Sequence, residues 1–153
     1  MELQFYPPLV YAAFMQLSRR DLSLLLPALA AAQAPAAGTP LPSKTFNFDD
    51  LPVKINGKNK SRAVLNGDTH SGFPIEMHMT ELGPGEAPHP PHHHVHEEML
   101  LLKDGTMEVT ISGKVTKIGP GSSVYVASNE EHGWRNAGTT NALYFVIALG
   151  RAA

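Results

Sequence analysis

Five of the chain's eight histidines fall between His89 and His96, a density that calls for a chemical explanation. His92 and His94 are two residues apart, so on a strand their imidazoles point to the same side. Glu98 keeps the same parity and opens an apolar run. Two imidazoles and one carboxylate can hold a divalent ion while leaving coordination positions open to water or a substrate. A fourth protein ligand has to come from elsewhere, and outside the cluster only His70, His78 and His132 remain. The chain has no cysteine, so disulfides and thiolate sites are excluded and a metal would be held by nitrogen and oxygen. His93 has the opposite parity and is expected to point away. His70 and His78 read as ordinary surface or core histidines, and His89 as part of an exposed proline-rich loop.

The elements that must position these groups read as strands. Ile75 to Thr80 alternates apolar and polar, as a half-buried strand does, and Gly83-Pro84-Gly85 breaks it. Glu98 to Lys103 is ended by Asp104-Gly105, a tight-turn signal between strands. Met107 to Ile111, Val115 to Ile118, Val124 to Val126, His132 to Asn136 and Ala142 to Leu149 follow, separated by Ser112-Gly113, Gly119-Pro120-Gly121 and Gly138 to Asn141. Roughly eight or nine short strands with no helical period between them indicate an all-β sandwich or barrel. Phe46 to Phe48 reads as a further edge strand, open to an intermolecular partner.

With the strands in place, two motifs carry a family resemblance. His92-His93-His94-Val95-His96-Glu97-Glu98, with Gly105 seven residues later, resembles the first motif of the cupins. Pro120-Gly121 followed by His132-Gly133-Trp134-Arg135-Asn136 resembles the second, with glycine directly after the proline as a variant. The resemblance covers about residues 60–150 and implies a single small jelly-roll-like cupin barrel. It further implies His92, His94, Glu98 and His132 as the metal ligands, and Asn136 as a residue that shapes the barrel. Glu98 could double as general base. His96 is expected at the rim, behind the ligands, where it holds a ligand or a substrate carboxylate. Trp134 and Tyr144 are candidates to line a pocket above the metal.

The resemblance to small cupins suggests dioxygenase chemistry like that of quercetinases. A metal-dependent isomerase or lyase is the alternative, and a non-catalytic barrel that binds a small molecule or stores metal is a third, since the fold does not set the chemistry. A net charge of −2 with both signs scattered and no basic run speaks against a nucleic-acid partner. The expected partners are a small-molecule substrate and a second copy of the chain, as a homodimer.

Ahead of the barrel, Ser18-Arg19-Arg20-Asp21 precedes an apolar run that reaches Ala32, the layout of an export signal, too short to anchor the mature protein. The arginine pair resembles the twin-arginine signal, which implies a periplasmic protein; an amphipathic helix packed on the barrel of a cytoplasmic protein is the alternative. The expected organisation is a signal over residues 1–34, a linker over 35–43 and the barrel over 44–153. Export of an already folded chain would let manganese or iron enter in the cytoplasm. Zinc, nickel or copper fit the same ligands and stand higher in the first-row affinity series.

Overall fold

Alternating segments separated by turn residues build nine strands within residues 39–151, the part of the chain that the computed structural model describes. The expected signal over residues 1–34, with Arg19 and Arg20, and the first part of the linker lie outside the described residues. The strands are β1 (Lys54–Asn56), β2 (Asn59–Asp68), β3 (Pro74–Leu82), β4 (Glu97–Asp104), β5 (Met107–Ile111), β6 (Lys114–Ile118), β7 (Ser123–Val126), β8 (His132–Asn136) and β9 (Ala142–Leu149). They form a six-stranded sheet in the order β1-β2-β3-β9-β4-β7 and a three-stranded sheet in the order β6-β5-β8, with antiparallel pairing throughout. Consecutive strands β4 and β5, and again β8 and β9, cross from one sheet to the other, as in a jelly roll.

The core is the space between the sheets. Leu82, Leu100, Leu102, Tyr144 and Val146 of the large sheet meet Met107, Val109 and Trp134 of the small one. Each fully buried aliphatic or aromatic side chain contributes about 1.5–3 kcal/mol through the area it removes from water. The turn after β4 depends on Gly105: its φ is +90°, and a Cβ there would lie 2.6 Å from the Cα of Ala142. The β5–β6 hairpin turns on Ser112 and Gly113, both at positive φ, the two-residue geometry that matches strand twist. Asn136 is fully buried and ties three segments together. Its Nδ2 donates to the carbonyls of Leu82 (2.9 Å) and Thr140 (2.8 Å), and its Oδ1 accepts from the Gly138 N–H (2.9 Å).

One expectation is corrected. Phe46 to Phe48 is not a strand: Phe48–Asp50 is a single 3-10 turn, and Phe48 lays its ring over the Arg62 guanidinium, 4.2 Å from it. The large sheet ends instead at β1 on one side and β7 on the other. Register decides which face of β3 is inside. Thr80 pairs with Tyr144 and Leu82 with Ala142, so Glu76, His78, Thr80 and Leu82 face the barrel interior. Ile75, Met77 and Met79 lie on the opposite face, beside Phe145, Ile147 and Leu149 of β9 and Met99 and Leu101 of β4, and Met79 is buried there. The alternation of β3 is as expected, but toward the Pro74 end its apolar face lies on the outside of the barrel.

Candidate metal centre

The histidine cluster sits where the loop before β4 meets the start of β8. His92 and His132 form an isolated antiparallel bridge: each backbone N–H donates to the other's carbonyl, at 3.0 and 2.9 Å. That bridge sets the two imidazoles side by side, with ring centroids 4.7 Å apart. Residues 93–96 are not a regular strand, contrary to the strand placement of His92 and His94, yet exposure still alternates, with His93 and Val95 exposed and His92, His94 and His96 half-buried. The Asn129 N–H holds this loop by donating to the His94 carbonyl at 2.8 Å. Gly133 packs closely beside it: a Cβ there would lie 3.2 Å from Pro91, a tight contact.

The structure brings together His92, His94, His132 and Glu98. Ligand atoms of His92, His94 and His132, and separately those of His94, His96 and Glu98, lie within 4.8 Å of one another. The carboxylate Oε2 of Glu98 is 3.0 Å from His132 Nε2 and 3.4 Å from His94 Nε2. Nδ1–H of His94 donates to the His96 carbonyl (2.8 Å), and Nδ1–H of His132 donates to the Glu130 carbonyl (2.9 Å). A carbonyl only accepts, so in the neutral rings the proton is on Nδ1 and the Nε2 lone pair faces Glu98. A carboxylate and two imidazole lone pairs turned on one another repel unless a cation lies among them. The donor set therefore fits a divalent metal ion, and the backbone carbonyls orient its ligands as outer hydrogen bonds do in metal sites. His92 contributes the same kind of demand, since its Nδ1 is buried without a hydrogen-bond partner. Burial, and then the neighbouring His89, His132 and His94, hold the His92 imidazole down at about 4, so it is neutral and able to ligate.

The remaining sequence candidates take different places. His96 stacks on His94, with centroids 3.7 Å apart and planes 7° from parallel, and its pKa is lowered by burial and then by His94. Trp134 is buried against His132, at 5.5 Å between centroids, and its Nε1–H donates to the Tyr144 hydroxyl at 3.0 Å. Tyr144 is a core residue with 1% exposure, and burial pushes its hydroxyl pKa up, away from any proton-transfer role near neutrality. His89, read as a loop residue, is exposed but packs nearly perpendicular to His92, with ring centroids 4.1 Å apart.

Besides a hollow of about 430 Å³ lined by His89, Pro91, Gly133 and Trp134, two others lie near the cluster. One, of about 400 Å³, is walled by Asn66, Asp68, Glu76, His96, Ala148 and Arg151. Charged side chains stand along its wall, and both oxygens of Asp68 hold Arg151 at 3.0 and 3.1 Å. The other, of about 540 Å³, opens between the sheets and mixes Val109, Ile111, Ile118 and Val124 with Lys114 and Glu130. Ile111 is the strand partner of His132. The pair Glu76–His78 on the inner face of β3 was missed in the sequence. Its only local signal is the two-residue spacing, and the apolar residues between argued for the opposite face.

A jelly-roll barrel with this cluster at its mouth defines a class, and comparison with known proteins agrees. The cupin-domain family model matches residues 78–148. The barrel belongs to the cupin superfamily. The chain is 27% identical over 99 residues to dimethylsulfoniopropionate lyase DddW of Ruegeria pomeroyi, a match covering 61% of this chain and 64% of that protein. Among solved structures it resembles the polyketide cyclase RemF of Streptomyces resistomycificus, with a TM-score of 0.61, 19% identity, and 72% and 81% of the two chains covered. A sugar phosphate isomerase of the cupin superfamily from Silicibacter pomeroyi superposes with a TM-score of 0.57 at 12% identity, covering 71% and 76%. At these identities the likenesses carry the fold and not the reaction.

Proposed function

We propose that the barrel is a metal-dependent enzyme that removes a proton from a small polar organic acid or carbonyl compound, as a lyase or isomerase does. The observation that carries this reading is the trough walled by Asn66, Glu76, His96 and Arg151, whose charged groups reach the cluster through the stacked His96–His94 pair. In this reading His92, His94, His132 and Glu98 hold one divalent ion, manganese or iron, which when bound supplies Lewis acidity toward a substrate oxygen. Arg151, set by Asp68, offers a carboxylate partner at the outer end of the trough. His96 closes the inner end and keeps the ring of His94 in place. The sulfonium and propionate groups of the DddW substrate are of a size the trough accommodates, which makes that compound the first to test.

A dioxygenase acting on an enol or catechol is the second reading, favoured by the aliphatic side chains of Val109, Ile118, Val124 and Ile111, the strand partner of His132, in the hollow between the sheets. The deciding experiment loads the protein with manganese or iron and assays dimethylsulfoniopropionate, small 2-oxo acids, flavonols, catechols and diketones with and without oxygen. Turnover of the polar compounds without oxygen supports the proton-abstraction reading. Oxygen uptake with the aromatic or diketone substrates, and no anaerobic turnover, would replace it with the dioxygenase.

A further inference from the structure

Proton abstraction needs a base, and the carboxylate of Glu98 is turned on the Nε2 atoms of His94 and His132, where a metal would occupy it. The inner face of the large sheet holds a second set of groups. Glu76 pairs with Ala148, Ala148 with Glu98, and Glu98 with Val126, so Glu76 and Glu98 lie in one inward row. They are two strand spacings apart, about 10 Å between Cα atoms, which leaves room for a small molecule between them. His78 follows on the same face, and its Nδ1 lies 3.0 and 3.1 Å from the two Glu76 oxygens. Both side chains are about one-third exposed to solvent, and Glu76 lines the trough together with His96.

We propose that His78 is the catalytic base of this barrel and Glu76 its positioning residue. The inference rests on the proton-abstraction reading above. A carboxylate only accepts, so Nδ1 of His78 carries the proton given to Glu76 and Nε2 presents its lone pair. This is the arrangement of a base oriented by a third group, and Glu76 also stabilises the imidazolium once it forms. In the step, Nε2 takes a proton from the carbon next to a substrate carbonyl. The C–H electron pair becomes the new C=C bond, and the carbonyl π pair moves onto oxygen. In the reverse step the imidazolium returns a proton, exchanged with solvent, to the same carbon.

Pyruvate is the probe, because it can chelate a metal and its methyl protons exchange by this step. With manganese-loaded full-length protein in D₂O, the pyruvate methyl signal should be broadened by the ion, and its protons should exchange for deuterium. His78→Gln should keep the broadening and lose about 100-fold in exchange, the scale of a lost general base, with recovery when free imidazole is added. Glu76→Gln should lose less. Independently of metal and activity, two-bond ¹H–¹⁵N spectra of metal-free protein should show the Nδ1–H tautomer of His78. Exchange undiminished in His78→Gln, or an Nε2–H tautomer, would each overturn the dyad alone, whereas broadening without exchange would count against the proton-abstraction reading and the dyad with it. No broadening by manganese would refute the metal reading itself and the dyad with it.

Discussion

Asn136→Ala removes three hydrogen bonds from a fully buried side chain, and the cost can be worked bond by bond. Leu82 has no exposure, so its carbonyl loses this donor where water enters with difficulty, a penalty of about 2 kcal/mol. Thr140 is exposed and Gly138 half-buried, so their groups rehydrate and cost about 0.5 kcal/mol each. The sum is about 3 kcal/mol, which at a urea slope of about 1.5 kcal/mol/M lowers the midpoint by about 2 M. Asn136→Asp keeps the shape but turns a carboxylate on two carbonyl oxygens, so at neutral pH it should cost more, about 4 kcal/mol. Those carbonyls and burial raise the pKa of the introduced carboxyl in the folded state, so the folded chain binds more protons and the deficit shrinks as pH falls. Urea unfolding of metal-free wild type and both variants at several pH values measures all three quantities. A loss below about 1 kcal/mol in Asn136→Ala, or an Asp variant that is no worse or shows no relief in acid, would refute the assignment of these bonds as the tie between segments.

Elemental analysis should find most metal gone from His92→Ala and His132→Ala but retained by His93→Ala; full metal in His132→Ala would reject the ligand set. For the metal-free protein, the His92 pKa is lowered to about 4 from an ordinary 6.5, so the unfolded state binds the extra proton and stability is lost as pH falls from about 6.5 toward 4. His92→Asn should flatten that part of the profile, and an unchanged profile would show that His92 is not the group responsible. Light scattering at micromolar concentration should return a homodimer that Leu101→Lys, on the apolar outer face where Leu101 is 39% exposed, converts to monomer. A monomeric wild type would remove that partner. Replacing Arg19 and Arg20 with Lys should stop export, measured as barrel in the periplasmic fraction; unchanged export would end the twin-arginine proposal.

Seven of the nine strands, β3 to β9, were legible because each depends on local chemistry, whereas β1 and β2 were not read from the sequence. Met107 to Ile111, His132 to Asn136 and Ala142 to Leu149 appear at the expected bounds, set by turn residues and a two-residue period. The spacing that selects His92, His94 and Glu98 is local too, and survived even though residues 93–96 are a loop and not a strand, because extended chain alternates sides in either case. Phe46 to Phe48 failed because short aromatic runs pack in many ways, and here Phe48 found the Arg62 guanidinium instead of a strand partner.

The sequence by itself determined that this chain is an all-β barrel, that its metal donors would be nitrogen and oxygen, and which residues carry the cupin pattern. These follow from periodicity, turn chemistry, composition and fixed offsets, all of which act along the chain. Only the tertiary structure decided which face of each strand is inside. Period-two alternation in β3 is symmetric under exchange of faces, and the usual preference for apolar residues within was reversed toward its Pro74 end by register with β9. That choice puts Glu76 and His78 on the inner face and Ile75 and Met77 on the outer one, where Met79 beside them is buried. The meeting of His132 with His92 was decided in the same way, by a backbone bridge between segments forty residues apart, which no local pattern specifies.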